Sequence, residues 1–292
     1  MNNIFEIFRD VDTHFTPEQA ERIREKFTSM LNYRPRIGVF GKTGVGKSSL
    51  CNALFGKYIC AVSDIEACTR DPQEVMLKMD NGKGIILLDV PGVGENLQRD
   101  EEYSELYRKL LPELDVVLWV LKADDRAYSV DIDFYTHVVK PHLEQDKPFI
   151  LVLNQVDKIE PFREWDGENR LPGPTQAKNI ELKAANVATH FQVKRSLVIP
   201  VSADEKFGLT KLVDEIIFSL PDEKKVSVAK EVPAENLSTK SKTEVKSSLS
   251  RVLTRTLTGA ANGAALGSKV AGKVGAVVGG VIGGIGGLLG LW

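Results

Sequence analysis

The sequence predicts an α/β fold: a sheet of about six strands, mostly parallel, with helices on both faces, an added N-terminal helix and a glycine-rich C-terminal tail. Short apolar runs alternate with longer segments of helical period. One further strand is joined to its neighbour through a hairpin signal, and a glycine-rich octapeptide sits between the first run and the first helix that follows it.

In chain order, Pro17 to Asn32 reads as a helix with Thr16 as N-cap and Pro17 at its first position. The apolar runs are Arg36 to Phe40 (RIGVF), Gly84 to Leu88 (GIILL), Asp115 to Leu121 (DVVLWVL), Phe149 to Leu153 (FILVL) and Leu197 to Val201 (LVIPV). Runs without polar alternation suit parallel strands buried on both faces. Gln73 to Met79 instead alternates, and Asp80-Asn81-Gly82 joins it to the next run, which predicts an antiparallel edge strand.

A chain of 292 residues with 42% apolar residues can form a sizeable core plus an appended part. With 38 Lys and Arg against 40 Asp and Glu, a net charge of -2 argues against a simple basic binder of nucleic acid. Charge and glycine are unevenly spread. Acidic residues exceed basic ones up to Pro221, and the reverse holds afterwards. Half of the 24 glycines lie between Gly259 and Gly290, which sets that segment apart. The organisation expected is a helical extension over 1–35, a nucleotide-binding domain over 36–220, a polar linker with helical character near its end over 221–256, and a glycine-rich apolar tail over 257–292. Cys51, Cys60 and Cys68 match neither a disulfide framework nor zinc-ligand spacing, and the N-terminus shows no secretory signal, so a reducing cytoplasm is expected.

After the first strand comes Gly41-Lys42-Thr43-Gly44-Val45-Gly46-Lys47-Ser48, followed by Ser49 and the helical run SLCNALF. This fits GxxxxGK[ST] in its strand-loop-helix context. Glycines let successive N–H groups point inward at phosphate oxygens, and the helix N-terminus adds positive partial charge. Lys47 supplies a point charge for the β- and γ-phosphates, and the Ser48 hydroxyl is a hard ligand for Mg²⁺.

At the end of the fourth parallel run stands Asn154-Gln155-Val156-Asp157. A carboxylate there can accept from N1–H and the 2-amino group of guanine, a pair that adenine lacks, so Asp157 is the expected base reader. Ser202 and Ala203, after the last strand, can offer backbone N–H to the guanine O6. In Asp89-Val90-Pro91-Gly92, Asp89 is placed to hold a Mg²⁺-bound water and the Gly92 N–H to sense the γ-phosphate. Thr69, in Cys68-Thr69-Arg70-Asp71-Pro72, could add a hydroxyl to Mg²⁺ and an N–H to the γ-phosphate. GTP or GDP with Mg²⁺ is the expected ligand, and the two loops carrying Thr69 and Gly92 would order on GTP.

The ordered set GKTGVGKS, CTRDP, DVPG, NQVD and SA resembles the five nucleotide boxes of translation-factor-type GTPases, in the Era/TrmE-like branch. The stretches GKTGVGKSSLCNALFG, DVPGVGE and LPELDVVLWVLKADDRA resemble the YfjP-like bacterial GTPases. Over about residues 36 to 220, the resemblance implies a GTP-hydrolysing G domain acting as a switch, with Lys47, Ser48, Thr69, Asp89, Gly92, Asn154 and Asp157 in the roles above. Three positions depart from it. Gln155 stands where the family has a lysine whose stem covers the base. Gly44 replaces an Asn that can help bind K⁺. Val93 stands where signalling GTPases carry a water-orienting glutamine. The expected mechanism is in-line attack of water on the γ-phosphate, slow in the isolated domain and completed by a second subunit or partner. Arg70, Arg99 and Arg126 are candidates for an arginine finger. The alternatives are a nucleotide-sensing scaffold with negligible turnover and a ribosome- or RNA-associated assembly GTPase.

From Val274 to Trp292 the tail carries no charge and would extend about 28 Å as a helix, close to the thickness of a hydrocarbon core. Gly275, Gly279 and Gly283 repeat at the spacing of close-packed helices in lipid. Tethering to the cytoplasmic face of a membrane, packing against protein or other copies, and a flexible tail are the three readings of this segment.

Overall fold

The structure, a computed structural model, describes residues 16–42, 44–56, 73–76, 86–89, 108, 111–143, 147–258, 279–280, 282–284, 286–287 and 290–291. It divides into two compact units, one formed by Pro35–Ser219 and the other by Met1–Arg34 with Leu220–Trp292.

In the larger unit, β1 (Arg36–Phe40), β2 (Gln73–Met76), β3 (Ile86–Asp89), β4 (Val116–Lys122), β5 (Phe149–Asn154) and β6 (Val198–Pro200) form one sheet in the order β2-β3-β1-β4-β5-β6. Only β2 is antiparallel, and it lies at the edge beside β3, as its alternating pattern predicts. Its described extent stops at Met76, three residues before the expected end. The other neighbours are all parallel. Strand β4 begins one residue later than expected because Asp115 serves as a clasp: its Oδ2 accepts from the Arg36 N–H at 2.8 Å, and its own N–H donates to the Arg36 carbonyl at 2.8 Å.

Every residue of β5 is buried, as is all of β4 except Lys122, so the sheet needs cover on both faces. Alternation within the strands divides the core. Val117, Trp119 and Leu121 of β4 join Phe149, Leu151 and Leu153 of β5 in one layer with Phe134 of α3 (Ser129–Phe134) and Ile180, Ala184 and Val187 of α4 (Pro174–Phe191). Val116, Leu118 and Val120 point to the opposite face. That face is served by α2 (Lys47–Phe55) and α5 (Leu209–Ser219), which touch one another, while α5 also touches β5. The carboxyl ends of β1, β4, β5 and β6 therefore open on one edge, between two helical layers.

The smaller unit corrects the linker expected over 221–256. Helices α6 (Asp222–Ala229) and α7 (Thr239–Thr258) occupy most of that stretch and pack with each other and with α1 (Pro17–Asn32). The physical reason lies in spacing and charge pairing. Val245, Leu249, Val252 and Leu253 make a buried stripe at helical intervals, facing the buried Ala20, Ile23, Phe27 and Met30 stripe of α1 and Val226 of α6. The charges that looked like solvated linker are paired: Asp222 accepts from Arg251 Nε at 2.9 Å and Nη2 at 2.6 Å, and the buried Lys225 pairs with Glu244. These Arg251 hydrogen bonds hold the Asp222 carboxyl below the usual carboxylate range. Helix α1 starts as expected, with a reciprocal box in which Gln19 N–H donates to Thr16 Oγ1 and Thr16 N–H to Gln19 Oε1. Most of the glycine-rich tail lies outside the described residues. Within the part described, Ile282 and Leu291 are buried, and among the described residues no helix is long and apolar enough to cross a membrane.

Leu249 is completely buried, so Leu249→Ala is expected to destabilise the smaller unit by about 2–5 kcal/mol in denaturant unfolding. An unchanged midpoint would show that 239–258 does not pack as a core helix.

Candidate nucleotide-binding site

The octapeptide leaves β1 at Phe40 and enters α2 at Lys47. Its turn requires glycine at two places. Gly41 has φ +138°, and a Cβ there would stand 2.3 Å from the Val120 carbonyl oxygen; Gly46 has φ +90°, and a Cβ there would stand 2.5 Å from Asn154 Nδ2. Gly46 is the N-cap of α2 and brings no side-chain acceptor of its own to the first turn. Lys47 Nζ bends back over the loop and donates to the carbonyls of Gly41 at 2.9 Å and Lys42 at 3.2 Å. Ser48 and Ser49 lie half-buried on the first turn of α2.

Asn154 ends β5 and is buried. Its Nδ2 donates to the Val45 carbonyl at 2.9 Å, and its Oδ1 accepts from the Ala203 N–H at 3.2 Å. One carboxamide thus joins the glycine-rich loop to the turn after β6. Gln155 adopts φ +64°, which turns its side chain to the same loop: Nε2 donates to the Gly44 carbonyl at 3.2 Å, and Oε1 accepts from Lys158 Nζ at 2.7 Å. The lysine missing at position 155 is therefore replaced by a neutral amide reaching the loop, with an ammonium behind it.

Asp157 is half-buried in a single 3-10 turn, Val156–Lys158. That turn is held on one side by the Val156 N–H donating to the Val201 carbonyl at 3.2 Å. On the other side Gln176, fully buried on α4, donates through Nε2 to the carbonyls of Asp157 at 2.9 Å and Ile159 at 2.8 Å. Glu164 fixes the start of the same helix by accepting from the N–H groups of Gln176 at 3.0 Å and Thr175 at 2.9 Å, and these donors hold its carboxyl low. Ser202 is buried and bridged to Phe207, and its Oγ accepts from the Glu205 N–H at 3.2 Å.

The structure brings together Gly41, Lys42, Gly44, Val45, Gly46, Lys47, Ser48 and Ser49 with Asn154, Gln155, Asp157, Ser202 and Ala203 along the carboxyl edge of the sheet. Asp89 closes β3, and its backbone is registered with Val39 of β1, on the strand that leads into the loop. Thr43, Thr69 and Gly92 lie outside the described residues, as do Val93, Arg70 and Arg99. Arg126 is exposed on the segment after β4. Sequence reading missed Gln176, Lys158 and Asp131. The first two act on backbone or amide groups without any motif spacing. Asp131 lies in α3 and is buried, and its Oδ2 stands 2.6 Å from Lys42 Nζ. Burial pushes the Asp131 carboxyl up, and the Lys42 ammonium opposes the shift. Among the described residues there is no group of three or more His, Cys, Asp or Glu able to hold a metal ion.

The family described as "50S ribosome-binding GTPase" matches residues 36–155. The YkfA protein of Escherichia coli (strain K12) is 44% identical over 204 residues, covering 70% of this chain and 68% of YkfA. YfjP of the same organism is 42% identical over 204 residues, with the same shares of 70% and 68%. GTPase Era of Aquifex aeolicus (strain VF5) is 29% identical over 189 residues, 64% of this chain and 56% of Era.

Gly46→Ala is expected to break the Asn154–Val45 hydrogen bond, because the added methyl collides with Nδ2 at a backbone angle that already disfavours a side chain. A loss of about 1–3 kcal/mol in denaturant unfolding should follow. Unchanged stability would mean that Asn154 does not brace the loop.

Proposed function

We propose a division of labour within the site from one premise: the chain belongs to the family of bacterial Era-like P-loop GTPases that includes YkfA and YfjP, and it binds and hydrolyses GTP as a switch. The glycine-rich loop 41–48 grips the phosphates through its backbone N–H groups and the N-terminus of α2. Lys47, which folds onto two loop carbonyls, exchanges them for the β- and γ-phosphate oxygens and stabilises charge on the transferring group. Asp157 reads N1–H and the 2-amino group of guanine, and the Ala203 region meets O6. Ser48 and Asp89 would hold Mg²⁺, which would supply positive charge against the phosphate oxygens. Thr69 and Gly92 contribute to catalysis by closing on the γ-phosphate. Water attacks phosphorus in line, and catalysis is positioning plus electrostatic stabilisation.

The observation that carries this reading is the double hydrogen bond of Asn154, which links the loop at Val45 to the turn at Ala203 in one buried side chain. The Gln155 amide on Gly44 supports the same bracing without the charge of the family's lysine. Val93 offers no group to orient water, so turnover is slow unless a second copy or a partner completes the site.

We further propose that the uncharged segment 274–292 tethers the chain to the cytoplasmic face of a membrane. Its support is sequence pattern: length, absence of charge, the glycine spacing, and Lys269 and Lys273 in front of it. Liposome flotation of the full chain against one ending at Thr256 should show binding only for the former, and equal flotation would remove the tail from this role.

Lys47→Ala is expected to lower GTP turnover by at least about a hundredfold, measured as phosphate release, since a pre-positioned charge on the transferring group is lost. Turnover equal to wild type would contradict the assignment. Asp157→Ala should abolish the preference for GTP over ATP in competition binding, and retention of that preference would move base reading elsewhere.

A further inference from the structure

Asp131 is an expensive residue to place where it lies. Its side chain is 2% exposed, one carboxylate oxygen pairs with Lys42, and the Trp119 indole N–H is the other polar group that favours the charged carboxyl. The surrounding layer is apolar: Trp119 packs between Phe40 and Phe134, with ring centroids 6.2 Å and 5.8 Å away. A buried carboxylate in such a layer costs stability that an apolar side chain of similar size would avoid. Its one ion-pair partner among the described residues is Lys42, whose side chain is only 26% exposed. Lys42 is the second residue of the glycine-rich loop, and its carbonyl accepts from Lys47 Nζ at 3.2 Å. The pair therefore joins α3 to the residue that follows Gly41, and it turns the Lys42 ammonium into the protein.

We propose that Asp131 is a positioning residue for nucleotide binding: by clamping Lys42 it sets the shape of the phosphate loop, and it acts on phosphate affinity without touching the nucleotide. The buried carboxylate is retained for this clamp, at the expense of core stability. The inference rests on the reading of 41–48 as the phosphate site, and it assigns to Lys42 a side chain that serves Asp131, with only its backbone serving phosphate.

Calorimetry with GDP and with GMP tests it, using the full chain, Asp131→Asn, Lys42→Met and the double variant. GMP lacks the β-phosphate at the loop, so the ratio of the two dissociation constants isolates the loop's contribution from folding and base reading. Each single variant should weaken GDP binding by about five- to twentyfold while GMP changes by less than about twofold. The double variant should be no weaker than the poorer single one, because both remove the same clamp. Multiplying losses, or a GDP loss in Lys42→Met with none in Asp131→Asn, would overturn the clamp and give Lys42 a direct phosphate contact. Unchanged GDP binding in both singles would also overturn it, and would leave the phosphate site standing if wild type still prefers GDP to GMP. A wild type that binds the two alike would instead bring down the phosphate-site reading, and the clamp with it. Should Asp131→Asn fail to fold, Lys42→Met decides on the same ratio.

Discussion

The site depends on one buried carboxamide. Asn154 donates to the loop that would hold phosphate and accepts from the turn that would meet the base, so neither can move without breaking a hydrogen bond in an interior where the broken partners find no water. Gly46 leaves room for this: a Cβ there would stand 2.5 Å from Nδ2. Around that tie the remaining contacts act locally. Gln155 braces Gly44, Gln176 holds the Asp157 turn from behind, and Lys42 is drawn to Asp131. The glycine-rich loop and the turn after β6 are thus mechanically linked through one side chain with a partner on each end.

Much of this was legible in the sequence, and for identifiable reasons. Strands buried on both faces appear as unbroken apolar runs, so β1, β4 and β5 were found within a residue of their ends. The alternation from Gln73 marks the edge strand that pairs antiparallel with β3, while the Asp80-Asn81-Gly82 turn lies outside the described residues. The glycine-rich loop and Asn154 are legible because a strand–turn–helix junction and a strand end demand particular residue types at fixed spacing. Gln176 and Asp131 were not, since a glutamine in a helix and an aspartate among apolar neighbours have no periodic signature. Their function depends on which backbone group or ammonium the fold brings opposite them.

The smaller unit shows how composition can mislead. Over 221–256, Lys, Ser, Thr and Glu outnumber large apolar residues, which is the signature of a solvated linker. What composition cannot show is that Asp222 and Glu244 face Arg251, Arg255 and Lys225 across α6 and α7, leaving Val245, Leu249, Val252 and Leu253 as a continuous buried stripe. The stripe was present in the spacing. The charged residues mask it in the composition because each looks solvated until its partner on the other helix is known. A helix of this kind gains most of its stability from the packed face and little from the exposed ion pairs.

The most direct test of the central tie is the binding of GDP to wild type and to Asn154→Ala by calorimetry, with ITP against GTP as a measure of base reading. Loss of two buried hydrogen bonds at the junction should weaken GDP by about tenfold or more and narrow the GTP over ITP preference in the same variant. If GDP affinity and base preference both stay at wild-type values, the loop and the base-reading turn are held independently, and the account given for this site is wrong.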